Sequence, residues 1–202
     1  MDSPVQIPKD KNPLKLNING LFIAVFGASG SHAKYEKVAS NLAESLYNNK
    51  MNIVYGGGAG GIMGAGPVRM NELGGQVIGI LPKVWEFESG PTPGILYLVD
   101  TLSERKNLFF DYACAFVAIP GGFGTMDEIC EYITWRQMGV HTKPIILLNV
   151  DNFFEGFLIW IDRAVKEGLI RESCKEILVV VSSVEQVISH LNAHRAELAP
   201  NY

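Results

Sequence analysis

Residues 120–128, PGGFGTMDE, place three glycines, a hydroxyl and two carboxylates within nine positions. Glycine lets backbone N–H groups close on an anion, and a hydroxyl at a helix N-terminus adds one more donor. Gly121, Gly122, Gly124 and Thr125 therefore read as an anion cradle, with Glu128 within a turn of whatever is held. Thr125 and Glu128 also fit a capping box, T-x-x-E, which accounts for that pair but not for the glycines before it. A second segment with chemical potential is TLSERK at 101–106. Thr101 and Glu104 form another capping box there, and Arg105 and Lys106 then fall near the first turn, where the helix dipole disfavours cations. Leu102, Arg105, Phe109 and Tyr112 follow at +3, +4 and +3, so Arg105 shares the apolar stripe. An inward guanidinium needs an anionic or planar hydrogen-bonding partner, in a salt bridge or on a ligand; a ligand-binding or catalytic role is expected.

Two further glycine-rich loops stand upstream. GGGAGG at 56–61 matches G-x-G-x-x-G, but it follows the second strand, and no acid ends the next one (ILP at 80–82) to hold a ribose. NAD is not expected on that ground. GASGS at 27–31 lacks the second glycine of a nucleophile elbow, so Ser29 reads as a hydroxyl donor to a ligand oxygen or as a plain turn serine.

The elements that must carry these loops alternate regularly. Short apolar runs at 21–26, 51–55, 76–81, 95–99, 114–119, 144–149 and 177–181 predict seven strands. Helices are expected at 33–49, 62–73, 101–112, 125–138, 153–168 and 184–192. Apolar strands with helical crossovers predict an α/β fold, a mostly parallel sheet with helices on both faces. A single domain over 21–192 would follow a polar leader (1–20) and precede a tail (193–202). All three glycine loops fall where strands end, the edge at which open α/β sheets bind ligands, and a nucleotide or phosphorylated sugar suits them.

Composition narrows the function classes. The 202 residues carry 17 Lys+Arg against 21 Asp+Glu, a net charge of −4 and a pI near 5.6, which disfavours a nucleic-acid partner. Cys114, Cys130 and Cys174 form no C-x-x-C pair, the four histidines include no H-E-x-x-H, and no metal is expected. No apolar run approaches the ~18 residues of a membrane span, and the leader lacks a signal peptide's apolar stretch, so a cytoplasmic protein without a membrane partner is expected. The aromatic stretch 153–161, with Phe153, Phe157 and Ile161 in register, reads as core or as a subunit interface. Trp135 and Met138 could line a base pocket or simply pack.

These motifs together resemble the Lonely Guy (LOG) family of cytokinin-activating phosphoribohydrolases. The resemblance rests on P-G-G-x-G-T-x-x-E at 120–128, Y-G-G-G-x-x-G-I-M-G at 55–64, the Arg105-Lys106 pair, ITW at 133–135 and the segment 139–144. It spans roughly residues 21–181. Members are often mislabelled lysine decarboxylases because of this signature. The resemblance implies a modified Rossmann fold, a homodimer, no cofactor, and hydrolysis of N6-substituted AMP to free base and ribose 5-phosphate. It makes Arg105 and Glu128 the catalytic pair. It implies Lys106, Gly121, Gly122, Gly124, Thr125 and Thr134 as nucleotide contacts, with Glu86 or Glu88 beside them; Ser29, Gly57, Gly58 and Asp127 complete the expected substrate-binding set. The segment 84–94 is about two residues shorter than in plant relatives, and Glu86 and Glu88 both remain counterparts of a substrate-contacting glutamate there.

That chemistry suits the residue types. Breaking a ribosyl C1′–N bond builds positive charge on the sugar and negative charge on the departing purine. A carboxylate beside C1′ can stabilise the cationic centre or activate water, the role expected of Glu128. Arg105 stays protonated and would hydrogen-bond the leaving base or the carboxylate. The loops at 56–64 and 121–125 would hold the 5′-phosphate. A non-catalytic nucleotide or cofactor carrier is the main alternative. A pyridoxal-phosphate decarboxylase would need a Schiff-base lysine, for which the sequence offers no candidate.

Overall fold

The computed structural model describes residues 5–7, 20–86 and 90–198. The seven expected apolar runs form β2 (Leu21–Phe26), β3 (Met51–Tyr55), β4 (Val77–Pro82), β5 (Ile95–Val99), β6 (Ala113–Ala118), β7 (Ile145–Leu148) and β8 (Leu178–Val181). An eighth strand, β1 (Val5–Ile7), comes from within the expected leader and pairs with β5, Val5 opposite Ile95. Three residues between Pro4 and Pro8 are too short a run to show any periodicity in the sequence.

Between the strands lie α1 (Ala33–Asn48), α2 (Gly61–Glu72), α3 (Leu102–Tyr112), α4 (Phe123–Gln137), α5 (Glu155–Lys166) and α6 (Val184–Ala193). The sheet order is β1-β5-β4-β3-β2-β6-β7-β8, with every pair parallel. The chain therefore winds outward from β2 in one direction through β5 and resumes on the other side of β2 with β6. Ligands in open α/β sheets bind at such a reversal, outside the carboxyl ends of the strands.

Strands buried on both faces need two cores. On one face Leu42 and Leu46 of α1, Met70 of α2 and Val187 and Leu191 of α6 pack on Ile23, Val25 and Ile53. On the other, Phe109 of α3 and Ile129 and Tyr132 of α4 pack on Phe22, Phe26, Val54 and Ile80. The second core fixes the relative placement of α3 and α4. Tyr132 stacks on Phe116 at 4.0 Å and on Phe26 at 5.7 Å, and Phe109 meets Phe26 edge-on at 5.3 Å. The Tyr132 hydroxyl also donates to the Lys106 carbonyl at 2.9 Å, tying α4 directly to α3.

In the aromatic stretch, Phe154 is the buried ring and Phe153 is 45% exposed. Phe154 is anchored because its N–H donates to Asn149 Oδ1 at 2.8 Å in the turn before α5. At the expected tail, Leu198 is buried and Arg195 donates to the Asn49 carbonyl at 3.0 Å, so residues 194–198 pack on α1.

Candidate active site

Three loops meet at the reversal point. The loop after β2 touches the loop after β6, where Ala28 N–H donates to the Pro120 carbonyl at 3.4 Å. The loop after β3 closes the third side. Between them lies a cleft of about 550 Å³ lined by Ser29, Gly56, Gly58, Arg105, Gly122, Gly124, Thr125 and Glu128, with Met63, Leu81, Trp85 and Phe123 toward its apolar side. A separate depression of about 480 Å³ between α1 and the start of α6 contains neither member of the expected catalytic pair.

Thr101 caps α3 as expected, accepting from Glu104 N–H at 3.0 Å, while the Glu104 carboxylate accepts from Asp100 N–H at 2.9 Å. From that start Arg105 turns inward. Its Nε donates to the Ile80 carbonyl and its Nη2 to the Gly56 carbonyl, both at 2.9 Å. Its guanidinium carbon lies 5.2 Å from the centre of the Phe109 ring, and its Nη1 lies 3.4 Å from Glu128 Oε1. Two carbonyls, one within β4 and one just past β3, thus aim the guanidinium at one carboxylate. Leu102, on the same stripe, is 48% exposed, because the stripe leaves the sheet at the first turn.

Glu128 is buried. Burial pushes its carboxyl up to about 7; Arg105 opposes the shift, Asp127 adds to it, and Lys106 opposes it more weakly. A carboxyl poised near neutrality in a cleft is what acid–base work at that pH requires. The expected capping box at Thr125 does not form. α4 begins two residues earlier, with Gly122 at its N-cap and no side-chain cap, so Thr125 is the third helical residue. Two glycines let the chain turn straight from β6 into the helix. Gly121 is required there, since a Cβ would lie 2.1 Å from Thr125 Oγ1. Glu128 is consequently free of any capping duty.

The sequence-derived set divides in space. Ser29, Gly58, Gly122, Gly124 and Thr125 line the cleft with the Arg105–Glu128 pair. Gly57 and Gly121 lie just behind it as loop backbone. Lys106 points away, bonded to Asp127 at 3.2 Å and paired with Glu131. Asp127 is committed to that same cluster, and the Thr134 hydroxyl donates to the Cys130 carbonyl at 2.8 Å on its own helix. Glu86 is half-buried at the end of the turn 83–85, with its N–H on the Lys83 carbonyl, and does not line the cleft. Glu88 lies outside the described residues. Trp135 packs against Phe110 and Tyr132, and Met138 is exposed, so neither lines the cleft. Trp85 and Phe123 were missed. Their signal was position alone, one just past a strand end and the other between the glycines of the cradle.

The two helix N-termini at the cleft differ. At α2 the amides of Ile62 and Met63 already bond the Gly30 and Ala28 carbonyls. At α4 the first amide with an intrahelical partner is that of Met126, which bonds the Gly122 carbonyl. The amides before it have no partner within the helix. Among the described residues no lysine lines the cleft, and no group of three His, Cys, Asp or Glu could hold a metal.

Residues 63–191 match a protein family described as possible lysine decarboxylase. The chain is 37% identical over 170 residues to cytokinin riboside 5′-monophosphate phosphoribohydrolase LOG5 of Arabidopsis thaliana, covering 83% of this chain and 75% of that one. To the phosphoribohydrolase LOG of Oryza sativa subsp. japonica it is 38% identical over 177 residues, covering 87% and 72%. The chain belongs to the Lonely Guy family. Its fold is shared more widely. A molybdenum-cofactor carrier protein from Chlamydomonas reinhardtii superposes with a TM-score of 0.66 at 20% identity, over 89% of this chain and 99% of that one. The DNA processing protein A of Streptococcus pneumoniae does so at 0.54 and 15%, over 84% and 61%. Those two likenesses concern the fold alone. The Lonely Guy signature is what brings Arg105 and Glu128 together, through α3, α4 and the loop after β3.

Proposed function

We propose that this chain is a phosphoribohydrolase that cleaves the N-glycosidic bond of N6-substituted adenosine 5′-monophosphates, releasing the free base and ribose 5-phosphate. The observation that carries the proposal is the buried Arg105–Glu128 pair at the reversal point of the sheet, 3.4 Å apart, in a chain 36–38% identical to phosphoribohydrolases. Each part of the cleft has a task in that reaction. The open amides of α4 and the Thr125 hydroxyl take the 5′-phosphate through charge-assisted hydrogen bonds. This fixes C1′ near Glu128, whose carboxylate stabilises the cationic sugar or activates the attacking water. Arg105, held by two carbonyls, keeps a hydrogen-bonding edge for the carboxylate and the departing base. Trp85 and Phe123 offer apolar surface to the base.

No helix among the described residues is long and apolar enough to cross a membrane. The working form we propose is a cytoplasmic homodimer, supported by the exposed side chains of Met138, Val140, Ile159 and Trp160. The substrate assignment is tested with a panel of AMP and N6-alkylated AMPs, following free base and ribose 5-phosphate by chromatography. Both products should appear in equal amounts, fastest with an N6-alkyl group. Tight binding with no release of base would make the chain a carrier.

A further inference from the structure

We propose that Thr92, outside the cleft, is the positioning residue that keeps the Arg105 guanidinium aimed at Glu128; this rests on the catalytic reading of that pair. The loop after β3 begins with three consecutive glycines, Gly56 to Gly58, and so has no side chain with which to anchor itself. Such a segment has the largest backbone freedom a chain can have. Yet the Gly56 carbonyl is one of the two acceptors that orient Arg105. The restraint must come from elsewhere. Thr92 provides it, because its Oγ1 donates to the Gly57 carbonyl at 2.8 Å, and the residue is only 5% exposed. Gly57 itself stands at φ +85°, and a Cβ there would lie 2.8 Å from Leu81 Cβ, so the position takes only glycine and the loop gains no side-chain anchor of its own.

Thr92 is built to do this. Pro91 and Pro93 flank it, and a residue before proline is confined to extended backbone. Its methyl group faces Gly79 of β4, where any Cβ would lie 3.0 Å from Thr92 Cγ2 and 3.1 Å from Gly57 Cα. The missing side chain at Gly79 is therefore the space Thr92 occupies. On the remaining side stands the fully buried Tyr55 ring. Thr92 is not itself among the residues that line the cleft.

The test compares Thr92→Val, which keeps the shape and removes the donor, with Thr92→Ser, which keeps the donor. Thr92→Val should lower kcat about tenfold, equal to about 1.4 kcal/mol of barrier, with KM little changed. Thr92→Ser should restore most of that loss. A second readout needs no turnover. The Arg105 Nε–H resonance, protected by the Ile80 carbonyl in the wild type, should exchange faster with water in Thr92→Val and slowly again in Thr92→Ser. If Thr92→Val does not fold, Thr92→Ala removes the same hydroxyl without adding a methyl group. A wild-type kcat and unchanged Nε–H exchange in the folded variant would overturn the role of Thr92 while leaving the catalytic reading intact. A wild-type chain with no hydrolysis would overturn the catalytic reading, and the exchange rates would still decide whether Thr92 holds Arg105.

Discussion

Glu128→Gln is expected to lower turnover about a hundredfold and, at about pH 8.5, to raise the melting temperature of the protein. The two effects share one cause. Burial holds the Glu128 carboxyl at about 7 instead of its ordinary 4.5, so forcing it to ionise in the folded protein costs about 3 kcal/mol. A folded-state value above the unfolded one means that the stabilising contribution is fully present below about pH 4.5. It is lost as the pH rises through about 7. The amide bears no charge and avoids the loss, for a gain of roughly 6–12 °C above neutral pH that shrinks toward zero as the pH falls to about 4.5. The activity profile runs the other way. If the carboxylate is the working form, kcat/KM of the wild type climbs with pH through about 7 and levels off above it. Thermal melts at two pH values, with a pH–rate profile, check both sides. A Glu128→Gln variant with near-normal kcat would reduce Glu128 to a structural partner of Arg105.

Removing the 5′-phosphate from the substrate should be equally costly. α4 opens on the cleft with amides that its own helix cannot satisfy, while the α2 amides at the same cleft are already used by Gly30 and Ala28. A dianion at α4 gains the helix field, several backbone donors and Thr125 together. That remote binding energy also places C1′ against Glu128, so its loss lowers kcat as well as affinity. Between an N6-substituted AMP and its nucleoside we expect at least a hundredfold difference, about 3 kcal/mol, in kcat/KM. Steady-state kinetics on the two compounds measure it, and equal values would remove the phosphate from the account.

Much of this cleft is legible in the sequence. The seven strands announced themselves as short apolar runs, and the inward turn of Arg105 followed from its place on the stripe with Phe109 and Tyr112. Spacing alone put the glycines, Thr125 and Glu128 in one place, and Gly122, Gly124, Thr125 and Glu128 do line one cleft. The division of labour was not legible. Lys106 sits next to Arg105 in sequence but about 100° around the helix, which sends it to Asp127 and Glu131 instead of into the cleft. Both glycine loops read alike in the sequence; what it could not show is that the Ile62 and Met63 amides of α2 bond the Gly30 and Ala28 carbonyls. Thr92 could not have been found by motif at all. Its partner, Gly57, is 35 residues away and is reached only because β4 and β5 pair in the register that brings Gly79 beneath it.

The most direct test is a 31P NMR time course with an N6-substituted AMP, run on the wild type and on Glu128→Gln side by side. With the wild type, the nucleotide resonance should give way to that of ribose 5-phosphate, with an equal amount of free base and no inorganic phosphate. With Glu128→Gln, the nucleotide should stay bound and intact over the same interval. Inorganic phosphate as the product, or an unchanged nucleotide with the wild type, would contradict cleavage of the C1′–N bond by this pair.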